Sequence, residues 1–194
     1  MESMKGRDNF TKRKIGIIYS SVDGQTLKIC QELNRVFDKN EIETELFSID
    51  SFYADLSEFH TLVIGASIRY GKHNKNVSEF VLKNKKYLNE IRTAFFSVNL
   101  VARNEDKNTP DTNPYLIKFL KKTDWNPDFI DVFAGKLDYK SYSVFDRLLI
   151  KLIMKLTDGP RKSKKPIEFT DWKRVEAFGL RISKHFLNSK NSNS

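Results

Sequence analysis

An apolar run, Ile15-Gly16-Ile17-Ile18, feeds directly into Tyr19-Ser20-Ser21-Val22-Asp23-Gly24-Gln25-Thr26. A helical pattern follows, with Ile29, Cys30, Leu33, Val36 and Phe37 on one face. A strand, a hydroxyl- and glycine-containing turn and then a helix is the way α/β proteins cradle a phosphate. The helix start leaves backbone N–H groups without intrahelical acceptors and aims a partial positive charge at the turn. Ser20, Ser21 and Thr26 add hydroxyl donors, and Gly24 lets the backbone approach an anion closely. The same stretch also fits an ordinary strand–turn–helix connection with a capping Ser or Thr. No Lys or Arg lies within it, so an anion here is held by neutral donors, which suits a singly esterified phosphate more than a triphosphate. Neither the P-loop pattern nor the three-glycine dinucleotide fingerprint is present.

Downstream, strands alternate with helices. Residues 43–49 alternate in polarity as a strand nearer the sheet edge does, residues 60–66 form a third strand, and residues 93–100 a fourth. A helix spans about 76–87, and Asn113-Pro114 caps and starts another, with Leu116, Phe119 and Leu120 facing inward. Residues 128–137 form a fifth strand, 167–170 a short one, and Asp171 starts a final helix bearing Trp172, Val175, Phe178, Ile182 and Phe186. This pattern predicts a doubly wound five-stranded parallel sheet. In the order 2-1-3-4-5, strands one, three and four are neighbours. Their following loops, Ser20–Thr26, Ala66–Gly71 and Asn99–Arg103, then converge at the carboxyl edge, where open α/β sheets bind ligands.

The 194-residue chain is one domain in length, and 15 Phe, 7 Tyr and 2 Trp supply a sizeable core. A single cysteine, Cys30, excludes an internal disulfide, and its place on an apolar helix face makes it a structural thiol. His60, His73 and His185 share no metal-ligand spacing, so no metal is assigned. No apolar run reaches the length of a membrane span and the charged start is no signal peptide, which places the chain in the cytoplasm. The net charge of +9 is unevenly placed. Residues 1–14 hold five basic side chains against two acidic, and residues 139–166 eight against two, leaving a neutral body. Nucleic-acid binders spread basic charge over the fold itself, so none is assigned as a partner. The expected layout is a flexible extension over 1–13, the α/β domain over 14–187 with 139–166 inserted in or beside strand five, and a disordered tail over 188–194.

The loop Gly65-Ala66-Ser67-Ile68-Arg69-Tyr70-Gly71, taken with Tyr19–Thr26, resembles the flavodoxin-like proteins. More narrowly, the chain resembles the menaquinone-linked protoporphyrinogen IX dehydrogenases. That likeness continues through Ser97-Val98-Asn99-Leu100-Val101-Ala102-Arg103, through Phe145 to Lys155, and closes on Phe169-Thr170-Asp171-Trp172. It covers nearly all of the chain from Lys14 to about Phe186. The 2-1-3-4-5 order is itself that of flavodoxin, the general rule's own example with FMN at the switch point.

The resemblance implies non-covalent FMN. Ser20, Ser21, Val22, Asp23, Gly24, Gln25 and Thr26 would hold its phosphate. Ala66, Ser67, Ile68, Arg69, Tyr70 and Gly71, and Ser97, Val98, Asn99 and Leu100, would flank the isoalloxazine, with Tyr70 placed to stack on the ring. The implied reaction is oxidation of protoporphyrinogen IX to protoporphyrin IX in successive two-electron steps, with menaquinone or another quinone reoxidising the flavin, in heme biosynthesis. The flavin carries the chemistry, so no catalytic acid or base is assigned. Arg69 and Arg103 are candidates to pair with substrate propionates, or are loop arginines in solvent.

In residues 139–166, Phe145, Leu148, Leu149, Leu152, Ile153 and Leu156 recur at helical spacing, flanked by Arg147, Lys151 and Lys155. About 12 residues is too short to span a bilayer but suits a helix lying on an anionic membrane surface, at the inner face of the cell membrane. The alternative is packing on the protein's own body or in a dimer seam, which leaves a homo-oligomer open. Two other functions compete with the enzyme. A soluble flavodoxin-type electron carrier is the first, disfavoured by the basic charge. A flavin-free interaction module is the second, disfavoured by the hydroxyl and glycine residues kept in the first loop.

Overall fold

The computed structural model describes residues 13–138 and 165–191. Strand β1 (Lys14–Ser20) lies between β2 (Glu43–Ser48) and β3 (Phe59–Arg69). Beyond β3 come β5 (Arg92–Asn99) and β6 (Phe129–Ala134), all pairs parallel, in the order β2-β1-β3-β5-β6. Counting these five parallel strands alone, the order is the expected 2-1-3-4-5. Helices α1 (Gln25–Lys39), α2 (Lys75–Leu88), α3 (Pro114–Thr123) and α4 (Trp172–Asn191) cover both faces.

The sheet is central because its strands are apolar on both sides. In β1, Ile15 and Ile17 meet Ile29, Leu33, Val175 and Phe178 of α1 and α4, while Ile18 turns to the opposite cluster, which holds Val77, Val81, Leu116 and Phe119 of α2 and α3. The buried helix positions follow the spacing of the sequence, except that Trp172, expected on the inward face of the last helix, is 37% exposed. Asn113 caps α3 as expected, its side chain accepting from Leu116 N–H at 3.3 Å, with Pro114 in the first turn.

Three features depart from the sequence reading. First, β3 overruns the expected strand by three residues and folds back on β4 (Lys72–His73), pairing Ile68 with His73 and Arg69 with Lys72. Second, the run read as one strand over 128–137 breaks at Gly135. Lys136–Leu137 forms β7, which leaves the parallel sheet and pairs antiparallel with β8 (Ile167–Glu168), Phe169 N–H donating to Gly135 O at 3.1 Å. The described chain therefore leaves for the 139–164 segment and returns from it through one two-stranded clasp. Third, α4 runs on to Asn191, past the expected end at 187, and Ser189 Oγ donates to Phe186 O within it. Arg13, expected in the loose extension, donates to Ser189 Oγ at 2.7 Å and lies over the Phe186 ring. The proposed membrane-facing residues Phe145, Leu148, Leu149, Lys151, Leu152, Ile153, Lys155 and Leu156 lie outside the described residues, as do residues 1–12. Among the described residues no helix is long and apolar enough to cross a membrane.

Candidate functional site

At the carboxyl edge, the turn after β1 leads into α1 through Gly24, which sits at φ 80°, in the left-handed region that glycine occupies without strain. Gly24 offers no side-chain cap, so the first-turn amides of α1 have no capping oxygen from it. Ser21 Oγ and Thr26 Oγ1 are buried and have no hydrogen-bond partner among the described residues. A buried hydroxyl left unpaired costs about 1–3 kcal/mol. Two of them beside a bare helix start make a set of neutral donors suited to an anion. Gln25 is spent differently. Its amide donates to Thr170 Oγ1 at 2.9 Å and to Glu168 Oε1 at 3.2 Å, tying the turn to the β7–β8 clasp.

The second wall is the β3–β4 hairpin. Its two central residues, Tyr70 at φ 50° and Gly71 at φ 73°, have the positive angles of a type I′ turn, which matches the twist of the paired strands. For Tyr70 this conformation costs about 1–2 kcal/mol. The tight turn imposes it, and it leaves the ring 58% exposed. Arg69 crosses to Asp23 of the first loop at 3.2 Å and lies 5.6 Å from the Tyr70 ring centre. Loop one holds no cation of its own, but loop two supplies one at its rim.

The third wall is the exit of β5. Val98, Asn99, Leu100 and Val101 line the cleft, and Asn99 makes a reciprocal amide pair with Asn113, at 3.2 and 3.3 Å. The three loops thus converge as the topology requires, on one cleft that opens to solvent at the carboxyl edge.

The convergence is not uniform. Ser21, Asp23, Gln25, Thr26, Ser67, Ile68, Arg69, Tyr70, Gly71, Val98, Asn99 and Leu100 line the cleft. Ser20, Val22, Gly24, Ala66 and Ser97 do not. Ser20, Ala66 and Ser97 point into the sheet packing, and Val22 is turned to solvent at 52% exposure. Arg103 is also outside the lining. It donates to Leu100 O at 2.8 Å and lies over the Phe169 ring, bracing the turn after β5. Sequence reasoning missed Val101, Tyr115, Gly135 and Lys136, which complete the lining. Tyr115 was within reach of it. A helix following a parallel strand starts at the carboxyl edge, so the second residue after the Asn113 cap belongs there. Cys30, buried under α1, has its thiol pushed up by burial and takes no part.

A parallel sheet in this order, with a hydroxyl-lined helix start and an aromatic turn at its carboxyl edge, defines a flavodoxin-type protein. The profile of the flavodoxin domain matches residues 16–164. Solved structures agree on the fold. Flavodoxin 2 of Bacillus cereus aligns with a TM-score of 0.51 at 13% identity over 91% of this chain and 99% of that one. A flavodiiron core from Synechocystis aligns with a TM-score of 0.55 at 11% identity over 93% of this chain and 37% of that one. Sequence relatives are more specific. A protein of Escherichia coli strain K12 named protoporphyrinogen IX dehydrogenase [quinone] is 40% identical over 168 residues, 86% of this chain and 93% of its own. One of the same name from Leishmania major is 40% identical over 84% of this chain and 71% of its own. The chain belongs to this family of quinone-linked protoporphyrinogen IX dehydrogenases.

Proposed function

We propose that this chain is an FMN-dependent oxidoreductase that converts protoporphyrinogen IX to protoporphyrin IX and passes the electrons to a quinone, menaquinone in the first instance. The observation that carries the reading is the pair of buried, unpartnered hydroxyls, Ser21 Oγ and Thr26 Oγ1, at a bare helix start in a chain with these relatives. They fit the phosphate of a singly esterified cofactor, with the first-turn amides of α1 as further donors. Tyr70 and Gly71, and Val98 to Val101, offer aromatic, apolar and backbone surface against which a flavin ring would pack. Bound FMN supplies two-electron acceptance from the porphyrinogen and donation to the quinone. The protein's own residues bind, orient and shield; none is needed as acid or base.

The substrate's propionates need cations at the mouth of the cleft. Arg69, partly answered by Asp23, and Lys136 of the clasp line it and suit that role. Arg103, engaged with Leu100 O, is the weaker candidate. The 139–166 segment is proposed as a membrane-surface attachment on the cytoplasmic face, which would bring the site to a bilayer-dissolved quinone. Both of its ends are anchored at the clasp, whose Lys136 lines the cleft. The competing soluble-carrier reading has no such requirement. Anaerobic mixing of FMN-loaded protein with protoporphyrinogen IX and a menaquinone analogue tests the proposal. Quinone-dependent porphyrin fluorescence well above the non-enzymatic rate is expected, and a rate equal to it would favour the carrier.

A further inference from the structure

His73 carries no metal-ligand spacing and lines no part of the cleft, yet it sits where the hairpin, the β5 exit and α3 are joined. It is the second residue of β4, paired with Ile68 across the hairpin whose turn is Tyr70–Gly71. Its part-buried imidazole packs against the Phe119 ring of α3, at 4.7 Å between centres, and the Phe95 ring of β5, at 5.6 Å, two rings that stack on each other at 4.6 Å. Its Nε2 is 2.9 Å from Ser97 Oγ, and Ser97 Oγ accepts from Asn99 Nδ2 at 3.3 Å. Asn99 Nδ2 also donates to Asn113 Oδ1, and Asn99 Oδ1 accepts from Ala102 N–H at 3.0 Å. Asn113 caps α3, whose second residue is Tyr115, and Tyr115 stands 3.8 Å from the point a Cβ on Gly71 would occupy. The chain of contacts therefore runs from the hairpin, through the β5 exit, to the start of α3. A hydroxyl has one proton and two acceptor lone pairs, so Ser97 Oγ can pair with Nε2 while accepting from Asn99.

We propose that His73 is the positioning residue of the hairpin wall, fixing the Arg69–Tyr70–Gly71 turn over the cleft by anchoring β4 to the Ser97–Asn99–Asn113 network. Two paired residues and one tight turn are too little structure to hold a strained tyrosine in place, since an isolated short hairpin is marginal in water. A side chain packed against a stacked pair of core rings and bonded to Ser97 of β5 supplies what the ladder lacks. The aromatic contacts set the depth of β4 and the Ser97 bond sets its rotation. Together they determine where the Tyr70 ring stands. Loss of the imidazole would leave Ser97 Oγ with Asn99 as its remaining partner and β4 without its bond to β5, so the hairpin would loosen against the β5 exit.

The proposal rests on the flavin reading only for its spectroscopic arm. The test compares wild type with His73→Leu, which keeps apolar packing without the hydrogen bond, with His73→Ala, and with His73→Gln, which restores a partner for Ser97. Limited trypsin digestion without FMN, mapped by mass spectrometry, reads opening of the hairpin at Arg69 and Lys72. Cleavage there is expected to be about 10-fold faster in His73→Leu, with His73→Gln close to wild type, while cleavage elsewhere is unchanged. With FMN, the flavin fluorescence quenched by Tyr70 should recover severalfold in His73→Leu, as in Tyr70→Leu, while affinity, set mainly at the Ser21 and Thr26 turn, falls less than about threefold. If His73→Ala fails to fold, His73→Leu decides. Cleavage and quenching equal to wild type in a folded His73→Leu would overturn the proposal. Wild type that binds no FMN would instead overturn the flavin reading and leave the cleavage comparison standing.

Discussion

Ser21 and Thr26 hold two buried hydroxyls toward a helix start that no side chain caps. A hydrogen bond to a charged group is worth about 1.5–3 kcal/mol, so Thr26→Val or Ser21→Ala should each weaken FMN binding by about 10- to 100-fold. The loss should vanish when riboflavin, which lacks the phosphate, replaces FMN in a fluorescence titration. An equal loss for both ligands would move the phosphate elsewhere. His73 offers a second residue-scale test, in stability. Burial among Phe95, Phe119 and Ser97 pushes its pKa from the usual 6.5 down to about 3. The unfolded chain therefore takes up the proton first, and stability is lost as pH falls below about 6.5 toward 3. The term reaches at most about 2 kcal/mol at pH 5. His60, also depressed by burial and by Arg13, acts in the same direction. Denaturant unfolding at pH 7 and pH 5 should show a smaller drop for His73→Leu than for wild type. Equal drops would mean the imidazole is protonated in the fold.

At the scale of elements, the clasp is the least ordinary feature. Gln25 bonds Glu168 and Thr170, Trp172 Nε1 donates to the same Glu168 oxygen at 2.7 Å, and Thr170 Oγ1 donates to Ala134 O at 2.7 Å. The turn after β1 and the root of the 139–164 segment thus share one set of hydrogen bonds. Gln25→Leu removes two donors worth about 1 kcal/mol each. Amide exchange at Leu137 and Phe169 should quicken roughly fivefold or more, and unchanged exchange would show the clasp to be held by other contacts. The parallel strands were legible because both faces of the sheet are buried and leave long apolar runs, as in Leu62 to Ala66. The hairpin strand and the clasp were not, because two-residue strands carry no period. Gly135 was hidden inside an apolar run, although it is where the fifth strand stops being parallel. The site was legible as three loops, since topology alone makes them converge. Which side chains turn inward cannot be read from loop membership, and Ser20, Val22, Gly24, Ala66 and Ser97 lie in those loops without lining the cleft.

For the whole molecule, a charge-balanced body with basic residues concentrated in 1–14 and 139–166 suits a protein that works at an anionic surface. Vesicle flotation should find wild type on anionic liposomes, less so in high salt, and Leu149→Glu, Ile153→Glu should lose that binding while keeping FMN. Equal flotation of both proteins, or none by either, would leave the segment to a protein partner. The central claim is that the cleft passes electrons from porphyrinogen to quinone through bound flavin. Its most direct measurement follows the visible absorbance of FMN-loaded protein under strict anaerobiosis. Adding protoporphyrinogen IX without quinone should bleach the flavin as porphyrin appears in proportion, and a menaquinone analogue should then restore the absorbance. Porphyrin that forms while the flavin stays oxidised, or a flavin that the porphyrinogen leaves unbleached, would contradict the account.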